Sequence, residues 1–292
     1  MNPIGTIHRS WLLLRAAVFV LRKHPRLIWF PILTAIFTVG IAAFFILPII
    51  AITIAHPILP NAGPFDGLKW MPVWIAPYCL LIYPLSLFVA TFCNVAFYSQ
   101  IIAALNGDEV SLRGGLKVAM SRIKSILVWT LFGGLVGGII RAIEERLGFF
   151  GRIMMGLIGL SWSVACVFVI PIIIREETTG NPITILKKSA AMIKRAWGET
   201  LTGYVGLRVV NMMFLILSLI ALGGAIVMAV ELKSLALGLT AGLLWFAAFV
   251  AWHIFTNLAS QAYLCALYIY ASEGVIPEPY DQSLLNLAWK VK

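Results

Sequence analysis

Leu27–Ile54 reads LIWFPILTAIFTVGIAAFFILPIIAITI, 28 positions without one charged side chain. About 20 mostly apolar residues in a helix suffice to cross a hydrocarbon core, so this stretch alone points to a bilayer. Working outward along the chain, five more windows have the same character: Val73–Leu105, Ile126–Ile140, Ile153–Ile174, Leu201–Val230 and Leu235–Ala271. The third is the shortest and carries Gly133, Gly134, Gly137 and Gly138. The expected fold is all-α: a polytopic six-helix transmembrane bundle, with several spans long enough to tilt or to protrude into the interface. Pro31, Pro48, Pro84 and Pro171 fall in or near these windows, where neighbouring helices can satisfy the backbone groups a proline frees.

The composition agrees. Of 292 residues, 61% are hydrophobic and 12% charged, with a mean hydropathy of +0.96. A soluble domain carries about a quarter charged residues, so a water-soluble enzyme, a disordered chain and a nucleic-acid-binding domain are excluded. The net charge of +10 then suits an anionic membrane surface. The apolar run after Arg26 is too long for a signal-peptide core, and no small-x-small site closes it, so no cleavable leader is expected.

Lysine and arginine set the orientation. Arg9, Arg15, Arg22, Lys23 and Arg26 precede the first span. Arg113, Lys117, Arg122 and Lys124 lie between the second and third. Arg175, Lys187, Lys188, Lys194 and Arg195 lie between the fourth and fifth, and Lys290 and Lys292 end the chain. The opposite side has only Lys69, Arg141, Arg146, Arg152 and Lys233. Both termini are therefore expected in the cytoplasm, and the protein in the inner membrane.

The basic connectors carry helical periodicity. At 100° per residue, Arg9, Arg15, Arg22, Lys23 and Arg26 fall in one sector, Arg113, Lys117, Ser121 and Lys124 in another, and Lys187, Lys188, Lys194 and Arg195 in a third. Helices of this kind lie in the interface with basic heads among lipid phosphates, and Asn181-Pro182 supplies a helix start for the third. A basic helix followed by two spans occurs three times, over 1–107, 108–180 and 181–274, with 275–292 left as a cytoplasmic tail. Phe92-Cys93-Asn94-Val95-Ala96 and Phe255-Thr256-Asn257-Leu258-Ala259 are alike, and each stretch runs on to a glycine, Gly107 or Gly274. The similarity fits an internal repeat, or the resemblance that any two apolar helices share.

Polar side chains inside a bilayer are expensive and each asks for a reason. His253, Asn257 and Gln261 stand at i, i+4 and i+8, and Thr91, Asn94 and Tyr98 at i, i+3 and i+7. They read either as the lining of a polar cavity for a head group or solute, or as interhelical hydrogen-bond glue. Arg208 reads as a snorkelling side chain or as an anion or lipid contact. Arg141, Glu144, Glu145 and Arg146 form a charged turn, with Arg141 and Glu145 at pairing distance along a helix. The glycines at 133, 134, 137 and 138 give Gly-x-x-x-Gly spacing twice, which permits close packing or dimerisation. Cys79, Cys93, Cys166 and Cys265 are isolated in apolar runs and read as small buried residues. No hydrolase, zincin or phosphate-loop motif is present, and no catalytic residue, metal or cofactor is expected.

Ser161-Trp162, Phe168-Val169-Ile170-Pro171, Glu176, Lys188-Ser189 and Trp197-Gly198-Glu199, with Arg9-Ser10-Trp11, Pro25 and Phe30-Pro31, together resemble a prokaryotic family of six-span membrane proteins. That family is catalogued as a domain of unknown function and is distantly similar to the membrane domains of glycerophosphodiester phosphodiesterases. The chain departs from it after Glu176, where Glu177-Thr178-Thr179-Gly180-Asn181-Pro182 stands in place of a shorter Gly-Pro turn. The resemblance implies the topology and no catalytic residue. Two function classes stay open: binding or translocation of a lipid or small amphiphile, and a structural or assembly subunit of a membrane complex. The expected partners are membrane lipids, preferentially anionic, and a second copy or partner subunit, with no nucleic acid.

Overall fold

The computed structural model describes residues 15–16, 18–55, 75–176, 181–195, 200–278 and 280. Among them there is no strand. Residues 18–23 are helical, and a 3-10 turn at Pro25–Ile28 leads into α1 (Trp29–Ala55). There follow α2 (Ile75–Leu105), α3 (Leu112–Ser121), α4 (Ile123–Arg146), α5 (Phe149–Ala165), α6 (Val169–Arg175), α7 (Pro182–Arg195), α8 (Thr200–Glu231) and α9 (Leu235–Glu273). Among the described residues, six segments are long and apolar enough to cross a membrane: Pro25–Leu47, Leu81–Leu105, Ile123–Arg146, Phe150–Arg175, Asn211–Glu231 and Leu235–Glu273. Only 0–28% of each apolar window is buried. Phe44, Leu135 and Leu244 are among the large apolar side chains left exposed. In water each such side chain would forfeit about 25 cal/mol per Å² of apolar surface, so the medium for these faces is lipid. The fold is an all-α, polytopic, six-helix membrane fold.

Local chemistry sets the helix ends. Asn181 caps α7, its Oδ1 accepting from the Ile183 N–H at 3.0 Å, with Pro182 in the first helical position. Ser234 caps α9 in the same way, accepting from the Leu237 N–H at 3.3 Å. α2 and α9 both stop on a left-handed glycine, Gly107 at φ 84° and Gly274 at φ 70°. At the first, the Asp108 N–H reaches the Ala103 carbonyl and the Gly107 N–H the Ala104 carbonyl, the paired closure that a left-handed residue makes possible. The fourth span is not continuous, as its sequence suggested, but breaks between Ala165 and Val169. Pro171 explains the break: its ring would strike the carbonyl of Val167 four residues earlier. The Arg122 guanidinium then donates to the Ile174 carbonyl at 3.2 Å, a cation on the last turn of a helix.

The chain divides into two compact units. One comprises 29–99 and 112–187. Within it, Phe30 stacks on Phe97 at 5.5 Å. α3 approaches so closely that a Cβ at Gly115 would stand 2.8 Å from both the Ala96 carbonyl oxygen and the Phe30 ring. Gly134 of α4 likewise faces Leu87 of α2 at 2.9 Å. Trp129 and Phe132 of α4 pack on Trp162 of α5, the two indoles stacked at 6.3 Å.

The other unit comprises 1–28, 100–111 and 188–292. Its most buried stretch is the end of α9, where Leu258, Ala259, Ala262, Tyr263, Cys265, Ala266 and Leu267 are almost wholly covered. Arg26 donates to the Val110 carbonyl at 3.4 Å, and the buried Gln100 accepts from the Ser111 N–H at 2.8 Å.

Candidate functional site

Three features carry polar chemistry on this apolar frame. The first is the basic connectors. On α3 and at the start of α4, Arg113, Lys117, Ser121 and Lys124 are exposed, while Gly115 and Ala119 are buried. On α7, Lys187, Lys188 and Lys194 are exposed, while Ile185, Ser189 and Ile193, spaced four apart, are buried. Before α1, Arg15, Arg22 and Lys23 are exposed, and Ala16 and Val20 buried. The helical projection therefore sorts the charged residues as the structure does. Arg9, and the side chains of Arg195 and Arg208, lie outside the described residues.

The second feature is the polar residues of the spans. Thr91, Asn94 and Tyr98 belong to one unit and His253, Asn257 and Gln261 to the other. Thr91 donates back to the Leu87 carbonyl at 2.7 Å, Asn94 is half-buried and Tyr98 is buried. On α9, His253 and Asn257 are exposed, and Gln261 is half-buried and donates its amide to Asn257 Oδ1. The Gln261 Oε1 is buried without a hydrogen-bond partner among the described residues. The working polar contact is one that the sequence reading did not single out. Asn211 of α8 accepts from the Trp252 indole N–H at 3.0 Å and from the Thr256 hydroxyl at 3.4 Å, and Phe214 stacks on Trp252 at 4.2 Å. The signal was present: Asn211 is a lone amide inside Val209-Val210-Asn211-Met212-Met213, and a lone amide in a span requires a partner.

The third feature is a cleft of about 680 Å³ between α4 and α5. Arg141, Glu144, Glu145 and Arg152 line its rim; Gly137, Ile140, Gly159, Trp162 and Ser163 line the remainder. Arg141 Nε donates to Glu145 Oε1 at 3.3 Å, the pairing expected from their spacing, and Arg152 Nε donates to the Leu147 carbonyl at 3.2 Å. Ser163 turns its hydroxyl back on the Gly159 carbonyl at 2.9 Å. Of the Gly-x-x-x-Gly residues, Gly134 serves contact with α2, whereas a Cβ at Gly137 or Gly138 would meet nothing within 4 Å.

Two titratable groups outside the spans are perturbed. Burial, aided by the charge on Lys23, holds the His24 imidazole below its ordinary range, and its Nε2 is buried without a partner among the described residues. Burial pushes the Tyr280 phenol well up, with the neighbouring Cys265 and Tyr263 adding to the effect. The beginning of the tail is thus folded onto protein at Tyr280; residues 281–292 lie outside the described set. Among the described residues no three His, Cys, Asp or Glu side chains converge as metal ligands.

No curated protein and no solved structure matches the chain, and the comparisons give no support to a kinship with glycerophosphodiester phosphodiesterase membrane domains. One protein family does match, over residues 75–277, which takes in α2 to α9 and the α4–α5 cleft. With most of its length so matched, the chain belongs to the family of unknown function DUF6159.

Proposed function

We propose that this is an inner-membrane protein, with both termini in the cytoplasm, that binds or translocates a lipid or small amphiphile without chemical conversion. The observation that carries the reading is the exposure of Arg113, Lys117 and Lys124 opposite the buried Gly115 and Ala119. A short helix charged on one face and seated on protein by the other brings its cations to lipid phosphates, each contributing about 1 kcal/mol of attraction at an anionic surface. The repetition of that arrangement before α1 and on α7 supports a threefold repeat, each unit gripping the same leaflet.

Lipid analysis of the purified protein tests the reading. Arg113→Gln, Lys117→Gln and Lys124→Gln together should lower co-purifying anionic lipid severalfold, and liposomes holding the protein should move labelled lipid faster than empty ones. Unchanged lipid content and no movement would refute it. Terminal reporter tags should both locate to the cytoplasm.

One observation favours a second reading, an assembly subunit. His253 and Asn257 are exposed on a spanning helix, and polar groups left toward hydrocarbon are costly, so a partner helix would relieve them. Crosslinking from position 253 in native membranes should then capture a second chain.

A further inference from the structure

We propose that the α4–α5 cleft is a binding site for a zwitterionic glycerophospholipid. Arg141 and Arg152 take its phosphate, Glu144 and Glu145 take its headgroup ammonium, and the glycine-lined wall holds the start of an acyl chain. The inference rests on the lipid-binding reading above and names the lipid class and the place.

The rim carries two guanidinium groups and two carboxylates. Its net charge is zero, so a purely anionic head gains nothing from it overall. A dipolar head pairs with both signs at once. Both arginines are anchored through Nε, Arg141 on Glu145 and Arg152 on the Leu147 carbonyl. The Nη groups of each fork, whose geometry suits phosphate oxygens, take no part in these two bonds. Glu144 is half-buried beside them. Away from the rim the lining changes character to Gly137, Ile140, Gly159 and the Trp162 indole, the last held flat by its stack on Trp129. From Arg152 to Trp162 the helix rises about 15 Å, room for a glycerol backbone and the first part of a chain. The volume lies within the ordinary ligand range of roughly 300–1,000 Å³. Ser163 spends its hydroxyl proton on its own helix. A free phosphate or amino acid would leave that apolar half unused; an acyl chain fills it.

The site also lies at the opposite end of α4 from Lys124. α4 has 24 residues, about 36 Å of helix, so the cleft opens to the leaflet opposite the one that α3 addresses.

The test uses the delipidated full-length protein in non-ionic detergent, with bound lipid read by native mass spectrometry. The probes are dioleoyl phosphatidylethanolamine, dioleoyl phosphatidylglycerol and inorganic phosphate. The component of binding that Gly137→Leu removes should be at least tenfold tighter for phosphatidylethanolamine than for phosphatidylglycerol and resist displacement by millimolar phosphate. Gly137→Leu, which fills open space, and Arg152→Gln, on an exposed residue, should each weaken it about tenfold. Glu144→Gln with Glu145→Gln should erase the preference between the two lipids. A preference below threefold in the Gly137→Leu-sensitive component, its displacement by phosphate, or phosphatidylethanolamine binding unchanged by both Gly137→Leu and Arg152→Gln would overturn the proposal. Anionic-lipid loss in the α3 variant is a separate readout, so failure here and failure of the broader reading are distinguishable.

Discussion

The two hairpins α4–α5 and α8–α9 share a topology and differ at the seam. α8 and α9 are joined by Asn211, which takes the Trp252 indole N–H and the Thr256 hydroxyl, with Phe214 stacked on the same indole. α4 and α5 meet at Trp129, Phe132 and Trp162, and beside this contact Gly137, Ile140 and Gly159 line the cleft. In lipid no hydrophobic force draws two apolar helices together, so packing and polar contacts decide whether they close. The aromatic stack and the amide beside it close the first hairpin together. Absent side chains, with charges at the rim, keep the second open.

Removing the closing contact should have the largest effect. Trp252→Ala loses the stack and the hydrogen bond together and should cost about 3 kcal/mol, seen as a lowered midpoint of thermal or detergent unfolding. If the protein tolerates it, the contrast between the hairpins has no energetic content. Gly115→Val makes the opposite change, adding volume where even a Cβ would stand 2.8 Å from backbone. It should cost about 2 kcal/mol by the same measurement and displace α3. Asn211→Ala leaves the Phe214 stack in place and should cost only about 0.6 kcal/mol; a much larger loss would make the amide, and not the aromatic pair, the main closure.

The smallest effect is a pH slope. His24 is held below its ordinary range when folded, so below about pH 6.5 the unfolded chain takes up a proton before the folded one does. Stability should therefore be full above that pH and decline as the pH falls through it. The decline should vanish in His24→Gln.

Much of this was legible before any coordinates. Six apolar windows gave six spans because hydrocarbon thickness sets a length that hydropathy alone reveals. The faces of α3 and α7 were readable because charge and helical period are both local, as were the Asn181-Pro182 start and the glycine stops at 107 and 274. What escaped depends on partners. Asn211 acquires its role only when Trp252, 41 residues later, lies opposite. The stripe His253–Asn257–Gln261 told which residues share a face and not which way that face turns. Gly134 and Gly137 signalled small size alike, which serves equally for close packing, as at the first, and for an opening, as at the second. The break at 166–168 was written in Pro171, but hydropathy runs across it without interruption.

Gly115 has one more bearing on how the molecule meets its surroundings. Because no slack separates α3 from the Ala96 carbonyl and the Phe30 ring, this basic helix is an outrigger bolted to the hull, not a float on a line. Any pull on Arg113 or Lys117 from outside the protein bears at once on α1 and α2, at the stacked rings of Phe30 and Phe97. A longer side chain at position 115 would turn that rigid strut into a hinge.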